Sequence, residues 1–96
     1  MDIQEFICAT SANNYCTITY LSNGKVHHTL LRVSLKSILD QIANDTTIIR
    51  CHKSYVVNKT KITKISGNAR SLHVYSDGYV DMIPVSRSFD RALLTT

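Results

Sequence analysis

The chain is organised around the stretch Ile48-Ile49-Arg50-Cys51-His52-Lys53-Ser54-Tyr55-Val56-Val57-Asn58. Two apolar runs, Ile48-Ile49 and Tyr55-Val56-Val57, flank a polar, basic kink. That order predicts two strands anchored in a core, with a short connection pushed into solvent. The kink holds an arginine, a histidine, a lysine and a hydroxyl between Arg50 and Ser54.

On the N-terminal side, residues 3–9 read as a strand anchored by Phe6 and Ile7, and residues 10–14 as a polar, small-residue loop. Residues 15–21 are rich in β-branched and aromatic side chains and predict a second strand. Asn23-Gly24 comes next. Both residues accept positive φ, so the pair predicts a tight hairpin into a third strand over residues 25–31. Leu35, Ile38, Leu39 and Ile42 then fall at helical spacing behind Ser34, a suitable N-cap, and Ala43-Asn44-Asp45 ends the helix. Lys36, Ser37, Asp40 and Gln41 occupy its outer side, so the helix reads as a lid on a sheet with no basic stripe to offer.

On the C-terminal side, residues 62–65 and 72–75 predict strands on either side of a turn at Gly67-Asn68-Ala69-Arg70. Ser76-Asp77-Gly78 predicts a second tight turn and residues 79–83 the returning strand. Pro84 has no N–H to give and should stop the ladder. Ser86 is placed to cap a last short helix over residues 87–94, with Phe89, Ala92 and Leu93 inward. The fold class is therefore mostly β: small antiparallel sheets, one central short helix and a C-terminal helical turn. It forms a single domain over residues 1–96, with no internal repeat.

Composition narrows the function. A hydrophobic share of 44% suits a globule and is too high for a disordered tail. No apolar run is long enough for a membrane span, and the N-terminus has no basic region followed by an apolar block. A cytoplasmic location is the expectation. Three cysteines, Cys8, Cys16 and Cys51, cannot all pair within the chain and read as buried thiols. Cys51 is also a redox candidate, since His52 and Lys53 beside it would favour a thiolate. The net charge of +4 is uneven. Residues 1–49 carry Lys25, Arg32 and Lys36 against Asp2, Glu5, Asp40 and Asp45, a balance of −1. Residues 50–96 carry Arg50, Lys53, Lys59, Lys61, Lys64, Arg70, Arg87 and Arg91 against Asp77, Asp81 and Asp90, a balance of +5. A basic half favours nucleic acid or an anionic membrane surface, and a solvated face with no partner is the bland reading.

Three chemistries compete for the polar residues. His27, His28, His52, His73 and the cysteines are metal-ligand types, but no CxxC or HxxxH spacing occurs, and the neighbours Cys51 and His52 would point to opposite faces of a strand. No metal or cofactor is expected. His52, Ser54 and Asp77 or Asp81 are the types used in hydrolytic triads, yet no strained serine elbow and no glycine-rich phosphate loop is present, so no enzyme is expected. Nucleic-acid contact fits better. Cations and asparagine read base edges, while hydroxyls and backbone amides hold phosphates. Three predicted loops supply those groups: Asn13-Asn14, His52-Lys53-Ser54 and Ser86-Arg87-Ser88. Each alone is most simply a solvated turn, and their joint occurrence with the basic half is what points to DNA.

These same residues carry a family resemblance. Arg50-Cys51-His52-Lys53-Ser54-Tyr55-Val56-Val57-Asn58 resembles the R-x-H-[RKN]-S-Y-[IV]-V-N signature of the LytTR DNA-binding domain, the output domain of AlgR/AgrA/LytR-type bacterial response regulators. Ile83-Pro84-Val85-Ser86-Arg87 is similar to the family's [IL]-P-V-S-R, after a D-G hairpin at Asp77-Gly78. Asn14-Tyr15 matches its N-Y pair, and residues 62–65 its I-x-x-I strand. The resemblance covers essentially the whole chain. It implies small antiparallel sheets stacked as an elongated sandwich. It also implies binding of double-stranded DNA, often as dimers on paired repeats, by loops that enter successive major grooves. On that pattern Asn14 and Arg87 face bases and Lys53 the backbone, and His52 is either a tie across the kink or a contact. Tyr55 fills the core. The DNA-contact set is thus Asn13, Asn14, His52, Lys53, Ser54, Ser86, Arg87 and Arg91. The chain starts at its first strand with no receiver domain, as an excised output domain or a stand-alone regulator. The reading from another class is a protein-interaction module that uses exposed strand edges and binds no DNA.

Overall fold

Antiparallel hairpins build this molecule, and asparagine and glycine set several of their turns. The computed structural model describes residues 3–42, 47–68, 71–89 and Leu94. Strands β1 (Phe6–Ala12), β2 (Tyr15–Ser22) and β3 (Lys25–Leu31) form a meander. The β2–β3 turn is Asn23-Gly24 with φ of 54° and 77°, as the dipeptide predicts, and the register runs unbroken from Ser22↔Lys25 to Cys16↔Leu31. The β1–β2 turn is shorter than the sequence suggests. Thr10, Ser11 and Ala12 continue β1 opposite Thr17, Cys16 and Tyr15, so only Asn13-Asn14 is left as the loop. Asn13 allows this because it takes φ 56°, a left-handed conformation that asparagine tolerates. The strand also starts late: residues Ile3–Glu5 form a 3-10 turn ahead of it.

Helix α1 (Leu35–Gln41) follows, then β4 (Ile48–His52) and β5 (Tyr55–Asn58), which pair with each other. β5 also pairs with β1, giving a five-stranded sheet in the order β3-β2-β1-β5-β4. A second sheet has the order β6-β7-β8, from β6 (Ile62–Ser66), β7 (His73–Ser76) and β8 (Ile83–Pro84). The expected class is found: mostly β, with two antiparallel sheets and one short helix among the described residues, and extents of 33 × 28 × 25 Å.

The central strands are covered on both faces, which makes three layers. On one face Ile7, Cys8, Cys51 and Val57 pack against Val74, Ile83 and Val85 of the second sheet's side. On the other, Phe6, Ala9, Ile18, Ile48 and Val56 meet the helix stripe of Leu35, Ile38, Leu39 and Ile42. β1 supplies both cores because its side chains alternate between faces, and a bulge between Phe6 and Cys8 lets adjacent Ile7 and Cys8 serve the same one. Ser34 caps α1 as expected, its Oγ accepting from the Ser37 N–H at 3.1 Å. The expected stop at Ala43-Asn44-Asp45 lies outside the described residues.

The second sheet differs from expectation. Residues 79–83 alternate in polarity, yet only Ile83–Pro84 is strand, with Val74↔Ile83 and His73↔Pro84 as pairs. Gly78, at φ 86°, is pulled against the first sheet; a Cβ there would stand 2.7 Å from Ile7 Cδ1 and 3.3 Å from Val26 Cγ2. The chain crosses the first sheet before returning, which leaves Val80 exposed in a loop. Pro84 joins the ladder instead of ending it, at the edge of the sheet where a missing N–H is tolerated. Of the helix expected over residues 87–94, Arg87 to Phe89 form a turn closed by Phe89 N–H to Ser86 O at 3.0 Å. Phe89 and Leu94 pack on the core, and Arg91, Ala92 and Leu93 lie outside the described residues.

Candidate nucleic-acid interface

The basic kink is a two-residue hairpin turn. His52 pairs with Tyr55, so Lys53-Ser54 is the tip, and the register shifts between Ile49 and His52. That irregularity swings Arg50 outward, and its guanidinium donates to the Lys53 carbonyl at 2.7 Å. The Ser54 N–H donates to His52 Nδ1 at 3.1 Å. His52 therefore accepts at Nδ1 and carries its proton on Nε2, the tautomer this contact requires. The imidazole ties the turn, and only its Nε2 edge is left to face outward. Tyr55 lies edge-on to it at 5.7 Å between centroids and packs on the core, as expected. Two signature side chains, Arg50 and His52, thus hold the tip that presents the exposed Lys53.

Backbone hydrogen bonds hold the other two loops beside this tip. The Ser11 N–H donates to Ser54 O at 2.9 Å, which fixes the root of the Asn13-Asn14 turn. The Ser86 N–H donates to Cys51 O at 2.7 Å, which fixes the segment carrying Arg87. Two open clefts result, one on each side of the Lys53 tip. The first, about 580 Å³, is lined by Asn13, Asn14, Arg32, Lys36 and Arg50 among others. The second, about 430 Å³, is lined by His52, Lys53, Ser71, Ser86 and Arg87 among others. Among the described residues, no carboxylate lines either cleft. All three sequence-predicted loops therefore share one end of the molecule, with Lys53 between Asn14 and Arg87. Arg91 lies outside the described residues.

Sequence reading missed Arg32 and Lys36. Both belong to the half of the chain with a negative balance, yet both reach the basic end. The Asn-Gly hairpin held the signal. Its register sets Leu31 opposite Cys16, so Arg32 must emerge beside Tyr15 and the Asn13-Asn14 turn.

Cys51 does not fit the redox reading. Its side chain is fully buried, with Sγ 3.6 Å from the Pro84 carbonyl, and burial pushes the thiol up to about 12. Burial overrides the neighbouring His52 and Lys53, whose side chains leave from other faces of the turn. Among the described residues, no three His, Cys, Asp or Glu side chains converge to hold a metal ion. No helix among them is long and apolar enough to cross a membrane.

A model of the LytTr DNA-binding domain matches residues 1–95. The chain belongs to the LytTR DNA-binding domain family. A solved structure similar to this LytTR domain is the LytTr DNA-binding domain of a Bacillus cereus protein described as a methyl-accepting/DNA response regulator. It superposes with a TM-score of 0.79 at 19% identity, covering 100% of this chain and 86% of that one. At that identity the likeness speaks for the fold of the LytTR domain, a helix and two sheets in three layers. No curated protein matches this LytTR domain.

Proposed function

We propose that this LytTR domain binds double-stranded DNA sequence-specifically through its loops, as the output module of a bacterial two-component response regulator in the cytoplasm. One observation carries the reading: the three loops rich in groups suited to DNA contact are hydrogen-bonded into one end that carries Arg32, Lys36, Arg50, Lys53 and Arg87, with no carboxylate among the described residues of its clefts. Helix α1 is no substitute for a recognition helix. Its apolar stripe is packed on the sheet, and its outer side offers one lysine and one aspartate.

The arrangement suggests a division of labour. Neighbouring strands lie about 4.8 Å apart, so the β1–β2 and β4–β5 tips stand roughly 10 Å from each other, with Arg87 beyond the second. Asn14 and Arg87 flank Lys53 and read base edges, Asn14 towards adenine and Arg87 towards guanine. Lys53, His52 Nε2–H, Ser54 and Ser86 hold the backbone between them, where contacts position without specifying. Asn13 shapes its turn through its left-handed backbone, and Arg91 is a further candidate contact by sequence alone. A pair of domains on repeated sites supplies the affinity that a single domain of this size lacks. A mobility shift on random duplexes at low salt, followed by selection of bound sequences, tests the proposal: an enriched motif supports it. The outer edge of β3, where Leu30 is 64% exposed, favours the alternative of a protein-interaction surface, and selection with no enrichment would turn the reading that way.

A further inference from the structure

We infer that Arg32 and Lys36 form a phosphate-gripping arm on the outer side of the Asn13-Asn14 turn, separate from the contacts made by Lys53 and Arg87. The inference rests on the DNA-binding reading above and extends its contact surface to residues that no family signature matched here contains.

The two cations reach this place for different reasons. Arg32 follows β3, whose last residue pairs with Cys16 at the root of the turn. Lys36 stands in the first turn of α1, which begins at once because Ser34 caps it. Both are exposed and line the first cleft with Asn13, Asn14 and Arg50. Arg50 is held by its bond to the Lys53 carbonyl, so it bridges this cleft to the Lys53 tip. The three cations come from three elements and surround the side-chain amides of Asn13 and Asn14, with no carboxylate among the described residues that line the cleft. Such a set asks for an anion with several acceptor oxygens. Its shape argues for a polymer: at about 580 Å³ the cleft is open and continues along the tips of the sheet, where a strand of phosphates can run. An asparagine read into a groove beside it would have the flanking phosphates within reach of Arg32 on one side and Arg50 on the other.

The test compares the wild-type domain with an Arg32→Ala/Lys36→Ala double variant, after thermal unfolding confirms that both are folded. Affinity for a selected duplex and for a random duplex is measured from 50 to 200 mM salt. Each phosphate contact contributes about 0.9 to the slope of log K against log salt, so the variant's slope should be shallower by about 1.8. Its loss of affinity across that range should then be roughly twelvefold smaller than that of the wild type. The change should be the same on both duplexes, and the selected motif should not alter. An unchanged slope in a variant whose parent binds DNA would overturn the arm while leaving the DNA reading intact. Inorganic phosphate at constant ionic strength distinguishes the other source of such an anion. If phosphate raises the melting temperature of the wild type alone and the slopes agree, the cleft holds a free phosphate and the arm is refuted. A wild type that binds no DNA at low salt removes the parent reading and this one together.

Discussion

Replacing Asn58 by alanine should cost this domain about 3 kcal/mol of stability without disturbing the end that carries Asn14, Lys53 and Arg87. The amide is 1% exposed and makes three hydrogen bonds. Nδ2 donates to Phe6 O at 2.9 Å, and Oδ1 accepts from the Thr60 N–H at 3.1 Å and the Thr60 hydroxyl at 2.7 Å. Together they tie the end of β5 to the start of β1 and cap the 3-10 turn at Lys59–Lys61. At about 1 kcal/mol per bond the loss is roughly 3 kcal/mol, and the buried Phe6 carbonyl left without its donor keeps the cost from being smaller. For a domain of this size that lowers the melting temperature by about 12–24 °C. Urea unfolding should show a lower midpoint with an unchanged slope. Thr60→Val, which removes only the hydroxyl, should cost about 1 kcal/mol. Asn58 ends the strand that begins beside the Lys53 tip, so it lies at the far end of the sheet. The folded fraction of Asn58→Ala should therefore bind DNA as the wild type does. A loss below about 1 kcal/mol would mean that the signature's last residue does not close this end of the sheet.

Three further outcomes are expected. Gly78→Ala should destabilise by about 1–3 kcal/mol in thermal unfolding, since a Cβ at φ 86° meets the fully buried Ile7 side chain at 2.7 Å. Cys8 and Cys51, both pushed up to about 12 by burial, hold their protons more tightly folded than unfolded. Their contribution to stability is complete below about pH 9 and is lost as the pH rises towards 12, while none of the three thiols should react with a thiol reagent in the native domain. Lys53→Ala should reduce the salt slope of DNA binding by about one, equally on selected and random duplexes, and a sequence-dependent loss would reassign Lys53 to base reading.

Periodicity and turn chemistry made the first sheet legible. Asn23-Gly24 could form only one kind of turn, and the spacing of Leu35, Ile38, Leu39 and Ile42 only one kind of helix face. Local signals failed where a distant contact decided the outcome. Residues 79–83 alternate as a strand should, but the close approach of Gly78 to Ile7 diverts the chain, and that approach joins two sheets far apart in sequence. Thr10 to Ala12 read as loop because small polar residues are neutral between loop and strand, and pairing with β2 settles them. At the candidate site, residue types were visible and their partners were not. Asn13, Asn14, Lys53, Ser86 and Arg87 were found as loop chemistry. That Arg50 and His52 brace the Lys53 tip required the backbone geometry of the turn itself. Counting charge by halves of the chain hid Arg32 and Lys36, because a hairpin carries its return strand's end back to where it began. Cys51 misled for a related reason: neighbours in sequence at a turn need not share a face.

In the function proposed, the loop carrying Arg87 reads sequence instead of merely adding charge. The direct measurement is the affinity of the wild type and Arg87→Ala for the selected duplex and for its single-base variants, at one fixed salt concentration. Arg87→Ala should lose about 1–3 kcal/mol of discrimination at one base pair, with preferences elsewhere in the site as they are in the wild type. An equal loss of affinity for every duplex, with all preferences kept, would contradict it and leave Arg87 as a phosphate contact.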